Sequence, residues 1–461
     1  MHSETPGSQR ETREVRSSGE TVPPHRRAVK AASHGDLLRI VVGLPGMWLS
    51  GRVSTRMATR PRNEEPLQAR IVGECDVRLW GITSEQRLRR QLRAAGIETV
   101  LDGPAAPTTA AVLILRADRL YDARVLRDLI SRPGVLLVQE EAGSRVAVAA
   151  HVAGADAAVA ERHLRGEAHE PIAGVSEVRV RDLSPAYDSG LLKLDPVTVL
   201  PIRAPRQAAL ERHLFDGSYK GVTDLVTKFV WPPPARWATR LCSRFGITPN
   251  FVTAISVVLV VLATWDFAEG RFAIGLVLAW WMTFLDTVDG KLARVTVQSS
   301  TFGHFLDHGL DVVHPPFWYF AWGLGLAASP TPLSSETVAW LMAVILAGYV
   351  LGRLLEAAFT YWMAGFSMFC WRPVDSYFRL VLARRNPNLL LLTASLLVGR
   401  PDVGLIAVAA WTAISTVFLT VRLAAAGLER RRAPLRSWLD DPASAAAGSP
   451  FGPPRPVDEA A

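Results

Sequence analysis

Cysteine is scarce: only Cys75, Cys242 and Cys370 occur in 461 residues, far apart. No disulfide framework or metal-ligand spacing follows from them. A secretory leader is also missing. Residues 37–49 are apolar, but they are too short to span a bilayer, Arg39 interrupts them, and no convincing small-residue cleavage site is present. Acidic residues are outnumbered, leaving a net charge of +8. Such a surface favours anionic lipid or nucleic acid. The arginines cluster beside apolar segments, so membrane lipid is the expected partner and nucleic acid is not.

What is present divides the chain unevenly. Residues 1–66, rich in Ser, Arg, Glu, Pro and His, read as a disordered basic leader. Translation beginning at Met57 would explain that odd leader, and the mass of the native N-terminus tests this. Residues 68–205 read as an α/β domain. Thr83-x-x-Gln86 has the form of a capping box opening a helix that Gly96 ends. Residues 111–115, 135–138 and 145–151 read as strands and 123–130 as a helix, a rhythm that implies a partly parallel sheet. Residues 206–246 form a linker and an amphipathic helix. Arg236, Arg240 and Arg244 make one stripe and Trp237, Leu241 and Phe245 the next, as on a helix lying in the membrane interface.

The last half holds the long apolar runs. Six spans are expected, at about 250–267, 272–290, 303–328, 336–363, 388–399 and 403–424, the fifth being short. Lys291, Arg294, Arg372, Arg379, Arg384 and Arg385 fall in the even-numbered loops, whereas the odd loops hold only Arg271 and Arg400. The positive-inside rule then puts both termini in the cytoplasm. Pro315 and Pro316 should kink the third span, with freed carbonyls satisfied inside the bundle. Arg353 and Glu356, three apart in the fourth, are expected to pair, with contact to a substrate phosphate as the alternative role for Arg353. Residues 429–461 are expected to be a disordered tail.

Four aspartates stand at the junction of the second and third spans. Asp286 and Asp289 share a helical face, and Gly303, Asp307 and Asp311 share a face of the next helix. Antiparallel helices would bring the two faces together. Each intramembrane carboxylate costs roughly 2.5–3.5 kcal/mol on insertion scales, so something must neutralise four of them. An all-carboxylate, cysteine-free site suits Mg2+ or Mn2+ better than zinc. His304 and His308 share the second helix but lie about 100° from the acidic face, so packing is expected of them rather than ligation.

The full pattern is Asp286-x2-Asp289-Gly290-x2-Ala293-Arg294-x8-Gly303-x3-Asp307-x3-Asp311, eight fixed positions over 26 residues. It resembles the signature of the CDP-alcohol phosphotransferase family, whose members also carry Thr248-Pro-Asn250 at the start of the first span. The resemblance implies an α-helical membrane protein with about six transmembrane helices over 247–428, preceded by a cytoplasmic α/β domain. It implies that Asp286, Asp289, Asp307 and Asp311 ligate two Mg2+ or Mn2+ ions and that Asp311 is also the general base. Gly290, Ala293 and Gly303 would leave room for the nucleotide and Arg294 would contact phosphate. The donor would be CDP-diacylglycerol or a CDP-polyol, the acceptor an alcohol and the by-product CMP. A homodimer in the cell (inner) membrane, with a cytoplasmic active site, is the expected setting.

The α/β region weakly resembles a sugar-phosphate nucleotidyltransferase, with Asp118 at that family's metal-binding position. Residues 71–85, however, lack the Gly-rich loop that cradles a triphosphate. A non-catalytic domain is therefore expected, with Asp118 a helix cap or surface residue. The alternatives are a bifunctional polyol-phosphate cytidylyltransferase/CDP-polyol phosphotransferase and a non-enzymatic membrane scaffold. Intact aspartates argue against the scaffold, which has no need of four costly carboxylates.

Overall fold

The computed structural model describes residues 66–102, 109–141, 143–298, 301–440 and 449–451. The side chains of 301–308, 310 and 311 lie outside that description. The leader 1–65 is likewise outside the described residues.

The N-terminal part is built on one mixed sheet. Its strands are β1 (Gln68–Val72), β2 (Val100–Leu101), β3 (Val112–Arg116), β4 (Val135–Glu141), β5 (Ser144–Val152) and β6 (Ser176–Arg179). The order across the sheet is β2-β1-β3-β5-β4-β6. β1 runs parallel to β2 and β3, and β6 parallel to β4, while β5 is antiparallel to both its neighbours. Helices α1 (Ser84–Ala94), α2 (Ala123–Ile130) and α3 (Ala157–Arg165) cover it. β3 is apolar at successive positions because both its faces are buried. Leu113 and Leu115 pack with Leu88 and Leu92 of α1 and Val125 and Leu129 of α2. Val112 and Ile114 pack with Ala157, Ala160 and Leu164 of α3. The result is three layers. Thr83 caps α1 with the reciprocal bond from Gln86, and Gly96 at φ 85° ends it, as the sequence predicts.

The C-terminal part is helical: α4 (Gln207–Gly217), α5 (Pro232–Arg244), α6 (Pro249–Ala268), α7 (Phe272–Val295), α8 (Thr301–Gly325), α9 (Ser335–Ala358), α10 (Pro373–Val381), α11 (Arg385–Leu397) and α12 (Pro401–Arg430). Among the described residues, four helical stretches are long and apolar enough to cross a membrane: Pro249–Ala268, Phe272–Val295, Ser335–Ala364 and Pro401–Arg430. α8 has 25 residues. α11 has 13 residues, which reach only about 20 Å at 1.5 Å per residue. It packs against α7 and α12. Apolar side chains face both ways. Phe267, Met282, Trp318 and Trp322 fill the interior, while Val261, Trp265, Trp281 and Phe320 point outward. That all-round apolarity suits lipid outside and packing inside. The fold is a helical membrane domain with an N-terminal α/β domain.

Two local features shape the bundle. α8 stays helical across Pro315 and Pro316. Pro316 has no N–H for the Val312 carbonyl one turn back. The Tyr349 hydroxyl donates to that carbonyl at 2.8 Å, so the freed acceptor is satisfied inside the bundle. At the other end of α8, a Cβ on Gly325 would lie 1.9 Å from the Phe267 carbonyl oxygen, so only glycine permits this approach to α6.

The two parts dock through a small core in which Trp80 meets Phe215, Ala235, Val288, Leu292 and Val295. The α/β domain therefore sits at the end of the bundle where α7 finishes. Part of the segment expected to be a disordered tail also packs. Leu435, Leu439 and Phe451 are buried with Leu194, Cys370 and Trp371, and the Ser437 hydroxyl donates to the Cys370 carbonyl at 2.9 Å. Three isolated apolar residues in an Ala- and Pro-rich stretch carry no periodic signal, so the sequence did not reveal this.

Candidate active site

α7 carries the first half of the aspartate pattern near its C-terminal end. Asp289 is buried, and the Thr253 hydroxyl of α6 donates to its Oδ2 at 2.6 Å. Thr253 is placed there by local chemistry. The Thr248 side chain caps α6, Pro249 takes the first position, and Thr253 follows one turn later, where its hydroxyl also bonds the Pro249 carbonyl at 3.1 Å. Asp286, one turn before Asp289, is half-buried. Arg385 Nη2, at the start of α11, meets its Oδ2 at 2.6 Å, with side-chain exposures of 15% and 14%. The next residue fixes the arginine's position, since Asn386 donates to Asp224 at 2.9 Å and to Thr227 at 3.2 Å.

The basic residues after Asp289 differ from expectation. Lys291, counted with a loop on sequence grounds, is buried in α7. Its ammonium donates to the Ser218 carbonyl at 3.2 Å and stands 3.4 Å from the Tyr219 ring centre. Arg294 is exposed and folds back over Gly290; a Cβ there would meet its Nη2 at 3.1 Å. The space above Gly290 thus admits the arginine in this conformation. Ala293 is half-buried on the same helix.

Gly303, Asp307 and Asp311 lie on α8, which packs along α6 and touches α7. Their side chains, and those of His304 and His308, are outside the described residues. Among the described residues, no three His, Cys, Asp or Glu side chains form a metal-sized group. The donors that are described nonetheless fit a hard divalent cation. They are oxygen-only, one helical turn apart and largely buried, and a guanidinium already balances Asp286.

A second basic cluster flanks the site. Arg384 pairs with Glu356 of α9, and Arg353 Cζ stands 5.4 Å from the Tyr349 ring centre. Glu356 therefore has Arg384 as a partner, which sequence proximity to Arg353 did not suggest. Tyr349, Arg353, Glu356, Arg384, Ser415 and Thr416 contribute polar groups to a small cavity between α9, α12 and the segment before α11. Burial pushes the Arg384 guanidinium down to about 10, so it remains charged at neutral pH.

The α/β domain shows no comparable arrangement at Asp118. Arg116 bonds that carboxylate twice, at 2.8 and 2.7 Å, and Arg119 approaches at 3.6 Å. Burial opposes its charge, but the two arginines outweigh burial and hold the carboxyl below the usual range. Of the two roles expected of Asp118, helix cap or surface residue, the cap is made instead by Asp122, which accepts from the Arg124 N–H at 2.8 Å. Where a Gly-rich loop would stand, Arg78–Leu79 and Ile82–Thr83 pair as a hairpin. Its tip is Trp80 at φ 53° and Gly81 at φ 76°.

Of the contacts to Asp286 and Asp289, those of Thr253 and Arg385 were missed from sequence. The paired Arg384-Arg385 in a loop on the acidic side was the one available signal.

Comparison with known proteins finds two likenesses. The CDP-alcohol phosphatidyltransferase family model matches residues 246–425. Archaetidylinositol phosphate synthase of Pyrococcus horikoshii is 40% identical over 84 residues, 18% of this chain and 44% of that relative. The chain thus spans less than half the length of the curated relative that it matches.

Proposed function

We propose, on the premise that residues 246–425 belong to the CDP-alcohol phosphatidyltransferase family, that the chain moves a substituted phosphate from a CDP-alcohol to an acceptor hydroxyl in the membrane. The acceptor oxygen attacks the distal phosphorus of the donor. The bond from that phosphorus to the bridging oxygen breaks, CMP leaves, and the hydroxyl proton passes to a carboxylate. The observation that carries this reading is the acidic end of α7. Asp289 is buried and held by Thr253, and Asp286 is balanced by Arg385, beside the helix bearing Gly303-x3-Asp307-x3-Asp311.

Members of the family are generally divalent-metal dependent. Here Asp286, Asp289, Asp307 and Asp311 would hold two Mg2+ or Mn2+ ions, which when bound would neutralise pyrophosphate charge. Thr253 orients the Asp289 carboxylate. Arg385 pairs with Asp286 and holds its carboxylate in place. Arg294, exposed at the end of α7, swings off Gly290 to meet donor phosphate, and Gly290, Ala293 and Gly303 admit the nucleotide. Asp311 accepts the proton, because it lies deeper along α8 than Asp307, where an acceptor arriving from the bilayer interface would meet it.

A CDP-diacylglycerol-type donor and a phosphate-bearing polyol acceptor are the substrates we favour, with a CDP-polyol donor as the second reading. Arg353 and Arg384 at one small cavity, close to Asp286 through Arg385, suit an acceptor phosphate. The similar relative is named for archaetidylinositol phosphate. The α/β domain is non-catalytic in this reading, since Asp118 is engaged by Arg116. The open stripe of Trp237, Leu241 and Phe245 on α5 rests in the membrane interface. The basic loops put the site and both termini in the cytoplasm, at the cell membrane. The chain acts as a homodimer, which crosslinking in native membranes would check.

The deciding experiment incubates purified protein with radiolabelled CDP-diacylglycerol or a CDP-polyol and a panel of polyols and polyol phosphates. CMP release that requires a polyol phosphate supports the reading. CMP release only with unphosphorylated polyols would remove the acceptor assignment, and none with any pair would remove the function.

A further inference from the structure

α7 ends in a Schellman-type turn. The Gln298 N–H donates to the Ala293 carbonyl at 2.9 Å and the Val297 N–H to the Arg294 carbonyl at 3.4 Å. This motif needs a left-handed residue, here Val297 at φ 50°. A β-branched side chain stands where glycine is usual. Such strain persists only where the surroundings over-determine it.

Two arginines of α1 reach the turn from the α/β domain. Arg87 Nη2 donates to the Val295 carbonyl at 2.7 Å and to the Leu79 carbonyl at 3.3 Å. Arg90 Nη1 donates to the Thr296 carbonyl at 2.7 Å. These carbonyls lie at the negative end of the α7 dipole, where cations are favoured. Arg87 is buried, and burial pushes its guanidinium down to about 10, which leaves it charged at neutral pH. Trp80 packs on Leu292 and Val295 beside them. The hairpin that replaces a nucleotide loop is thus a docking finger.

We infer that the α/β domain is a positioning element for the transferase, with Arg87, Arg90 and Trp80 locking the turn that follows the first half of the aspartate motif. The inference rests on the transferase reading. The turn begins just after Arg294, and α8 starts at Thr301. Its geometry therefore sets how the α7 carboxylates stand relative to α8. Arg87 and Arg90 touch backbone, so they are positioning residues and not catalytic ones.

The test uses the full chain in nanodiscs, with CDP-diacylglycerol and inositol phosphate as probes for CMP release. The variants are Arg90→Met, Arg90→Lys and Arg87→Met/Arg90→Met, each with and without Val297→Gly. Backbone hydrogen exchange at residues 296–298 is read in parallel. Arg90→Met should lower kcat about tenfold and the double variant about 100-fold, with donor KM within about twofold, and exchange should quicken in both. Arg90→Lys should recover part of the loss by restoring one donor. Val297→Gly should recover most of it, because glycine adopts the left-handed turn without strain. Arg90 is half-exposed, so its single variant serves where the double variant does not fold. Unchanged kcat, faster exchange without a fall in kcat, or no rescue by Val297→Gly would each overturn the inference. A wild-type chain that releases no CMP would defeat the transferase reading alone. The exchange arm would then decide the clamp, with unchanged exchange in the double variant overturning it.

Discussion

Replacing Arg385 by methionine should make the protein's stability depend on magnesium. The Arg385–Asp286 contact is 2.6 Å long between side chains only 15% and 14% exposed. Removing one member of such a buried pair costs about 3–5 kcal/mol. Arg385→Met should therefore lose about 3–5 kcal/mol in EDTA. A divalent ion at 100 times its Kd returns about 2.7 kcal/mol to the folded state. The variant should then recover most of its deficit in magnesium, and its magnesium-induced rise in Tm should exceed that of wild type. Melting followed by tryptophan fluorescence in detergent, with EDTA or MgCl2, reads this directly. Arg372→Met is the control. Its partner is Glu429 at 2.6 Å, but the side chains are 51% and 36% exposed, and such surface pairs contribute about 0–1 kcal/mol. Equal losses for Arg385→Met in EDTA and in magnesium, or none in EDTA, would refute the idea that Asp286 needs a cation supplied by either arginine or metal.

Other outcomes follow from the same geometry. Asp311→Asn should lower turnover by about 10²–10⁴ while CDP-alcohol binding survives, whereas Asp286→Asn should lose metal and nucleotide binding together; near-normal turnover in Asp311→Asn would show that the proton leaves elsewhere. CMP release should stop in EDTA and return with Mg2+ or Mn2+, and full turnover in excess chelator would sink the metal assignment. The full chain given CTP and a polyol phosphate should release no pyrophosphate, since Asp118 is bound by Arg116 and residues 78–83 form a hairpin where a Gly-rich loop would stand; robust release would make the protein bifunctional. Gly325→Ala should lower Tm markedly, because its Cβ would sit 1.9 Å from the Phe267 carbonyl oxygen; an unchanged melt would mean that α6 and α8 separate freely.

What the sequence alone determined is what local chemistry controls. The capping box at Thr83 and the stop at Gly96 depend on residues within a few positions of each other, and both stand where they were read. The long apolar runs marked the helical membrane half because their cost in water is a property of composition. The aspartate spacing carried the family resemblance because it lies within 26 consecutive residues. Only the tertiary structure decided what holds Asp286 and Asp289. Thr253 reaches Asp289 across 36 residues and Arg385 reaches Asp286 across 99, and no periodicity links such positions. The same holds for Tyr349, whose hydroxyl serves a carbonyl that Pro316 leaves without a partner. Lys291 looked like a loop charge because sequence ends the span near Gly290. In the fold α7 continues to Val295, and the segment around Ser218 and Tyr219 encloses the ammonium. Trp80 lies in residues 71–85, a stretch read from sequence only as lacking a Gly-rich loop. Its role became visible only when the α/β domain met the end of α7, since a buried contact between distant segments is a property of the packed chain and of no stretch within it.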